Sequence, residues 1–558
     1  MAQLIVPAPA SGSILVCTEG LSFWGGVDAS SGAVIDAHHP QSGQSLAGRI
    51  VMMPTSRGSC SGSGVLVELA MNGRAPAALI FREPEDVLTL GAIIATRMFD
   101  RPIAVVRLAA RDYDTLATKS QAEITGTRLL ADGLSLRLDA LPISDLALSE
   151  SDRSMLDGTM GSAAKLAMET LCTVASSQNA KQLTDVTRAH IDGCIYASPA
   201  NLIFAEKIAS LDAKVCIPTT MNAISVDRQN WRDQDVPPNL GLPASRLADV
   251  YVDMGALPTF TCAPYQSTDH PLMGEQIGWS ESNAVIYANS VLGARSAKHP
   301  DFLDLFIALT GRAPLSGVYL AENRQAEVII DVALPTDFDD AIWPLIGWLV
   351  GQKAPDRIPL LKGLEGTSPS EDDLRAVCAA FGTTSAAPLL HLAGITPEGD
   401  HPAKAGATQV QLTQADFKAA WKAFNTGPSK IDLVALGSPH FSLSETRTFA
   451  SLMTGRKCHP STSTIITLSR ATKAAAAAEG LLSELTANGV QVLCDLCWCS
   501  ISEPVFPTDA QTLMTNSGKY AHYAPGLSGR QVRFGGLAAC AAAATSGIVD
   551  DELPHWLR

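Results

Sequence analysis

The sequence predicts an α/β protein in two parts: a small N-terminal β/α unit, residues 1–140, and a large unit, residues 141–558, with a sheet covered on both faces. Three observations carry this expectation. Hydrophobic residues are 46% and charged residues 17% of 558, the balance of a globular chain with room for more than one core. Short strands and Gly/Ser turns fill the first part, and long helical patterns begin at Ser149. Beyond those helices, strand-like runs such as KVCIPTT and QVLCDLCWC alternate with further helices.

The elements follow in order. RIVMMPT, residues 49–55, is mostly apolar and reads as a buried strand. SRGSCSGSG follows as a strand-to-helix turn, and VLVELAMNG carries apolar residues at helical spacing. Ser61 or Ser63 can cap that helix, and Gly73 can end it after Asn72. PEDVLTLGAIIATRMF is a second helix, and TGTRLLADGLSLRLDALPIS closes the unit with strand-like alternation. SESDRSMLDGTMGSAAKLAMETLCTVASSQ and ANLIFAEKIASLDA open the large unit as helices. The polar Pro/Gly segment at residues 396–407 is a candidate joint between subdomains. KAAAAAEGLLSELTANG reads as one helix ending at Gly489.

Charge and composition exclude some classes. The net charge is −15 and no Lys/Arg block offsets it, which argues against a nucleic-acid partner. The N-terminus lacks the basic start of a secretion signal, and runs such as AIWPLIGWLVG are too short to span a bilayer, so a soluble cytoplasmic protein is expected. In that reducing setting the twelve cysteines are no disulfide scaffold; most are expected to be small buried hydrophobes and a minority metal ligands.

The turn SRGSCSGSG raises the first chemical question. A helix N-terminus presents unpaired N–H groups and a positive dipole end, which suits an anion or an ionised oxygen. A Walker loop would need a Lys before its Ser/Thr, and Gly58, Gly62 and Gly64 have the wrong spacing for a dinucleotide loop. A tight turn with a capping serine and a catalytic serine both remain open. The cysteines are equally open. If QVLCDLCWC is a strand, Cys497 and Cys499 share a face and Cys494 points away, and no second ligand pair follows. Cys262 lies in a loop bracketed by Pro258 and Pro264, and Cys540 starts a small-residue helix after two glycines.

Longer stretches carry a resemblance. FWGGVDASSGAVIDAHHPQSGQSLAGRIVMMPTSRGSCSGSGVLVEL in the first part, and AHIDGC, VCIPTTMNAISVD, PTFTCAPYQ, WSESNAVIYANSVLGARS, LTGR, ALGSPHFSLSE and MTNSGKYAHYAPG in the second, resemble the aconitase X family in its fused form. The resemblance implies an aconitase-like α/β fold, with a small swivelling domain ahead of a multi-lobed α/β/α catalytic domain. It implies a hydro-lyase with an iron–sulfur cluster held by Cys262, Cys497 and Cys540, with Cys494 and Cys499 left as packing residues. Three thiolates would leave one iron open as a Lewis acid for the departing hydroxyl. The smaller [2Fe-2S] cluster is favoured, and a [4Fe-4S] cluster could use the same ligands. The resemblance also implies Ser59 as the base, with Arg57 a candidate to stabilise its alkoxide.

Two substrates come with the resemblance: cis-3-hydroxy-L-proline, dehydrated to Δ1-pyrroline-2-carboxylate, and mevalonate 5-phosphate. The fused arrangement favours the first. Thr515, Asn516, Ser517, Lys519 and His522 are candidates to bind the substrate, because a structural turn seldom needs so many hydrogen-bonding side chains. Ser280 to Asn283 are either similar or a helix cap, and His190 and His440 either shuttle protons or are satisfied structural residues. A cluster-free RNA-binding relative is the alternative of a different class, and the acidic balance opposes it.

Overall fold

The structure is a computed structural model describing residues 2–36 and 39–558. Ala37 and His38, inside the first resembling stretch, lie outside the described residues.

One nine-stranded mixed sheet is built between Ala2 and Ala140. Its centre is parallel: Ala10–Val16, Ile50–Met53, Ala78–Phe81 and Ala104–Leu108 pair in that order. Both faces of this centre are covered, which explains the unbroken apolar run IVMM. Val51 and Met53 pack on one side with Leu66 and Val67 of the helix Gly62–Met71 and with Leu90 and Ile94 of the helix Val87–Phe99. Ile50 and Met52 pack on the other with Tyr113 and Leu116 of the helix Ala110–Leu116. The first of these cores does not stop at the small unit. It continues into Leu171, Phe204, Leu247 and Phe302, so the helix Gly62–Met71 is seated against the large unit by shared apolar burial.

The large unit carries three parallel sheets. The first has three strands in the order Thr219–Met221, Ala189–Ile191, Gly278–Trp279. The second orders His391–Leu392, Pro359–Lys362, Val328–Val332, Thr408–Leu412. The third orders Val490–Leu493, Ser463–Leu468, Leu433–Phe441, Thr512–Thr515, Gln531–Phe534. Helices such as Ile342–Lys353 and Glu371–Thr384 pack between them. Among the described residues no helix is long and apolar enough to cross a membrane.

Three local expectations are corrected. Residues 396–407 do not join subdomains: the strands on either side of them belong to one sheet, and Glu398 is tied back by Arg324 at 2.8 Å. The Ala-rich stretch is two helices, Arg470–Ala478 and Leu481–Ala487, parted at Gly480, whose φ of 79° ends the first. QVLCDLCWC is a strand only to Leu493. Asp495 takes φ 67° and turns the chain, held by Arg470, whose Nε donates to Asp495 Oδ1 at 2.7 Å.

Candidate active site

The carboxyl ends of two of these sheets converge on one cavity, where open parallel sheets place their ligands. Asp192 follows Ile191, Asn222 follows Met221, and Glu281 comes two residues after Trp279. From the third sheet, Cys497 and Cys499 come after the strand ending at Leu493, and Lys519 after the strand ending at Thr515. The small unit closes the cavity with Trp24 and the turn Gly58-Ser59-Cys60-Ser61.

That turn is shaped by Gly58. Its φ is 91°, and a Cβ there would lie 2.3 Å from Ser22 Oγ. Ser59 is thereby brought into the cavity wall, half-buried, and accepts a hydrogen bond from the Ser61 N–H at 3.3 Å. The expected capping differs in detail. Ser61 stands at the N-cap without a side-chain capping bond, and Ser63 donates instead to the Cys60 carbonyl at 3.0 Å. Arg57 points away from the cavity, to Asp36 at 3.3 Å and Glu19 at 3.4 Å.

Cys262, Cys497 and Cys499 line the cavity together. The thiols of Cys262 and Cys499 turn to Cys497 as hydrogen-bond donors, and with the charge of Lys519 they draw the Cys497 thiol well below its ordinary pKa. His440 also braces the group. Its backbone N–H donates to Cys262 Sγ at 3.3 Å, and its ring Nε2 is 2.6 Å from the Leu496 carbonyl. Burial holds the His440 imidazole below its usual range, and burial takes His190 down to about 3. Neither histidine lines the cavity: His190 Nδ1 is 2.7 Å from Thr220 Oγ1 and its ring packs on Trp279.

Cys540 is not in this group. It lies in a separate core with Leu436, Phe449 and Ala544, its Sγ 3.8 Å from the Gly535 carbonyl of its own chain segment. Cys499 occupies the place expected for it, because the chain turns after Asp495 instead of continuing as a strand. Cys494 packs in the same core as Cys540.

The polar stretch around residue 517 divides in the same way. Lys519 enters the cavity, and so does Tyr523, one helical turn on. Lys519 Nζ is 2.6 Å from Glu281 Oε1. Burial works against the lysine's charge, but Glu281 and the nearby thiols outweigh it and raise its pKa. The others are not in the cavity lining. Thr515 Oγ1 accepts from the Ser517 N–H at 3.2 Å, and Ser517 caps the helix Gly518–Ser528 by accepting from the Tyr520 N–H at 3.0 Å. Asn516 borders a neighbouring pocket with Arg375, and His522 accepts from Trp348 Nε1 at 3.2 Å. Glu281 has two roles, capping the helix Ser282–Ser290 through the Asn283 N–H at 3.1 Å as well as pairing with Lys519. Asp192, Asn222 and Tyr523 were not singled out from sequence; the one available signal is that Asp192 and Asn222 each directly follow a short apolar strand.

A small α/β domain that presses a serine turn onto a thiol-lined cavity between parallel-sheet lobes is an aconitase-type architecture. The chain belongs to the aconitase X family. Residues 1–131 match the aconitase X swivel domain, 145–322 its first domain, 326–422 its second and 431–546 its third. It is 48% identical to a cis-3-hydroxy-L-proline dehydratase of Pseudomonas aeruginosa, covering 100% of this chain and 99% of that protein. It is 32% identical to a phosphomevalonate dehydratase large subunit of Methanothermobacter thermautotrophicus, over 69% of this chain and 96% of that one. The crystal structure of Thermococcus kodakaraensis aconitase X in its holo-form superposes with a TM-score of 0.66 at 30% identity, covering 72% of this chain and all 100% of that one.

Proposed function

We propose that this chain is a hydro-lyase that dehydrates cis-3-hydroxy-L-proline to Δ1-pyrroline-2-carboxylate. The observation that carries the reading is a single cavity holding Ser59, three adjacent thiols and the buried Lys519–Glu281 pair. The likeness to the Pseudomonas aeruginosa dehydratase supports the substrate.

The donor set suits an iron–sulfur cluster. Cys262, Cys497 and Cys499 are the residues that would hold it, and a thiol already drawn toward its thiolate is the form that ligates iron. A [2Fe-2S] cluster is the form we favour. When bound it supplies a Lewis acid for the departing hydroxyl.

The protein's own groups do the rest. Ser59 Oγ takes the proton from the α-carbon, and the Ser61 N–H at the helix N-terminus stabilises the charge on that oxygen. Lys519 holds the substrate carboxylate and so makes the α-proton more acidic. Glu281 holds the ring ammonium. Loss of the α-proton and the 3-hydroxyl leaves an enamine, which tautomerises to the cyclic imine. Trp24 and Tyr523 wall the cavity and limit water at the reacting carbon.

A zwitterion suits this cavity better than a phosphate ester. Among the described residues lining it, Lys519 is already paired with Glu281, and Asp192 adds a further carboxyl, while the charge of a second buried lysine, Lys298, reaches both acids. A phosphate dianion would compete with Glu281 and Asp192 for those cations. The test is direct: protein purified without oxygen is given cis-3-hydroxy-L-proline or mevalonate 5-phosphate. Imine formation from the first alone is expected. Turnover of the second alone would overturn the substrate assignment.

A further inference from the structure

Beside Ser59 lies a second group of metal-ligating side chains that the proposed reaction leaves unused. Cys60 of the small unit and Asp192 and Asp301 of the large unit each present one ligand atom, all within 4.8 Å of one another. Their relative exposures are 4%, 8% and 4%. The Cys60 thiol donates to Asp192 Oδ2 at 3.1 Å, and Asn222 holds the other Asp192 oxygen. Asp301 Oδ1 is buried with no hydrogen-bond partner. A carboxylate oxygen in that position is costly unless something positive meets it. Burial pushes the Asp192 and Asp301 carboxyls up, the fields of Asp304 and Glu281 reach the group, and Lys298 is the cation near it.

We propose that Cys60, Asp192 and Asp301 form a site for a divalent first-row metal ion, such as Zn²⁺, Fe²⁺ or Co²⁺, separate from the three-thiol group and bridging the swivelling and catalytic domains. The donor chemistry selects the class. A thiolate with two carboxylates suits these ions, whereas Mg²⁺ and Ca²⁺ take oxygen alone. The metal displaces the Cys60 thiol proton and takes up the orphaned Asp301 oxygen. Three protein ligands leave a position open to water.

The site answers a question the loop leaves standing. Arg57 is turned to Glu19 and Asp36 and gives the serine no charge partner. Ser59 Oγ is 4.0 Å from Cys60 Sγ, so a cation held by Cys60 lies in the next shell and favours the ionised serine. It also ties the serine turn to the large unit, adding to the bonds from the Asp301 N–H to the Cys60 carbonyl at 3.4 Å and from Ser63 Oγ to the Asp301 carbonyl at 3.2 Å.

The test is a titration of Co²⁺ into holoprotein purified without oxygen. It is followed by difference absorption for the thiolate-to-cobalt charge-transfer band and by equilibrium dialysis for the bound metal. One equivalent with that band is expected. Cys60→Ser should lose the band, and Asp301→Asn should bind at least about tenfold more weakly, both with acid-labile sulfide unchanged. Unchanged sulfide separates this site from the three thiols and shows that the variants fold. No band in the parent protein, or an equal band in Cys60→Ser, would overturn the proposal. If Cys60→Ser fails to fold, Asp301→Asn decides alone: undiminished Co²⁺ affinity sinks the site.

Discussion

Lys519 Nζ lies 2.6 Å from Glu281 Oε1, their side chains 12% and 7% exposed. Removing one partner leaves the other charge buried and unpaired, which costs about 3–5 kcal/mol, while replacing both costs much less. Lys519→Met and Glu281→Gln are therefore each expected to lower stability in chemical denaturation by that order, and the double variant to recover much of it. All three should raise KM for the amino acid. A loss in the double variant equal to the sum of the two single losses would show that the pair does not act as a unit.

Ser59→Ala should cut turnover by about 10²–10⁴-fold, the range of a lost acid–base group. The visible absorption of the cluster should not change, because Ser59 belongs to the small unit and the three thiols to the large one. His522→Ala, at the Trp348 contact outside the cavity, should leave kcat and KM nearly unchanged. Full activity in Ser59→Ala would remove it from the base role.

These contrasts reflect what a chain pattern encodes. The serine turn was legible because strand, glycine and helix are adjacent in sequence, and local sterics place Ser59. The alternation of strands and helices was legible from apolar runs, whereas the division of the large unit into lobes came only with the family resemblance. The polar stretch at residue 517 was visible as chemistry but not as geometry. Only the direction of the helix Gly518–Ser528 decides that Lys519 and Tyr523, four apart, face the cavity while His522 meets Trp348. Cys499 reads from sequence as a packing residue, and its place on the cavity depends on Asp495, which Arg470 holds from another element. Cys540 looked eligible because a cysteine after two glycines can equally begin a site or fill a core.

The cluster ligands can be separated by substitution. Cys262→Ser, Cys497→Ser and Cys499→Ser should each lose or weaken the cluster, read as iron and acid-labile sulfide. Cys540→Ser and Cys494→Ser should keep both. The first of these two puts a hydroxyl in an apolar core and should cost about 1–3 kcal/mol in unfolding experiments. Loss of sulfide in Cys540→Ser with retention in Cys499→Ser would reverse the assignment.

The seam between the two units should also respond to pH. Asp86 accepts a hydrogen bond from Gln178 of the large unit at 2.9 Å. Burial, reinforced by the charge of Glu85, pushes its carboxyl up from 3.8 to about 6. A folded-state pKa above the unfolded value means that the folded form binds the proton more tightly. The resulting stabilisation is fully present below the unfolded pKa of 3.8 and is lost as pH rises through about 6. Asp86→Asn keeps an oxygen for Gln178 and removes the charge. It is expected to raise Tm in neutral buffer and to leave it nearly unchanged in mildly acidic buffer, where Asp86 is already protonated. Thermal unfolding of both proteins across that pH window checks the sign: a variant less stable than the parent in neutral buffer would mean that the Asp86 charge is favourable at the seam.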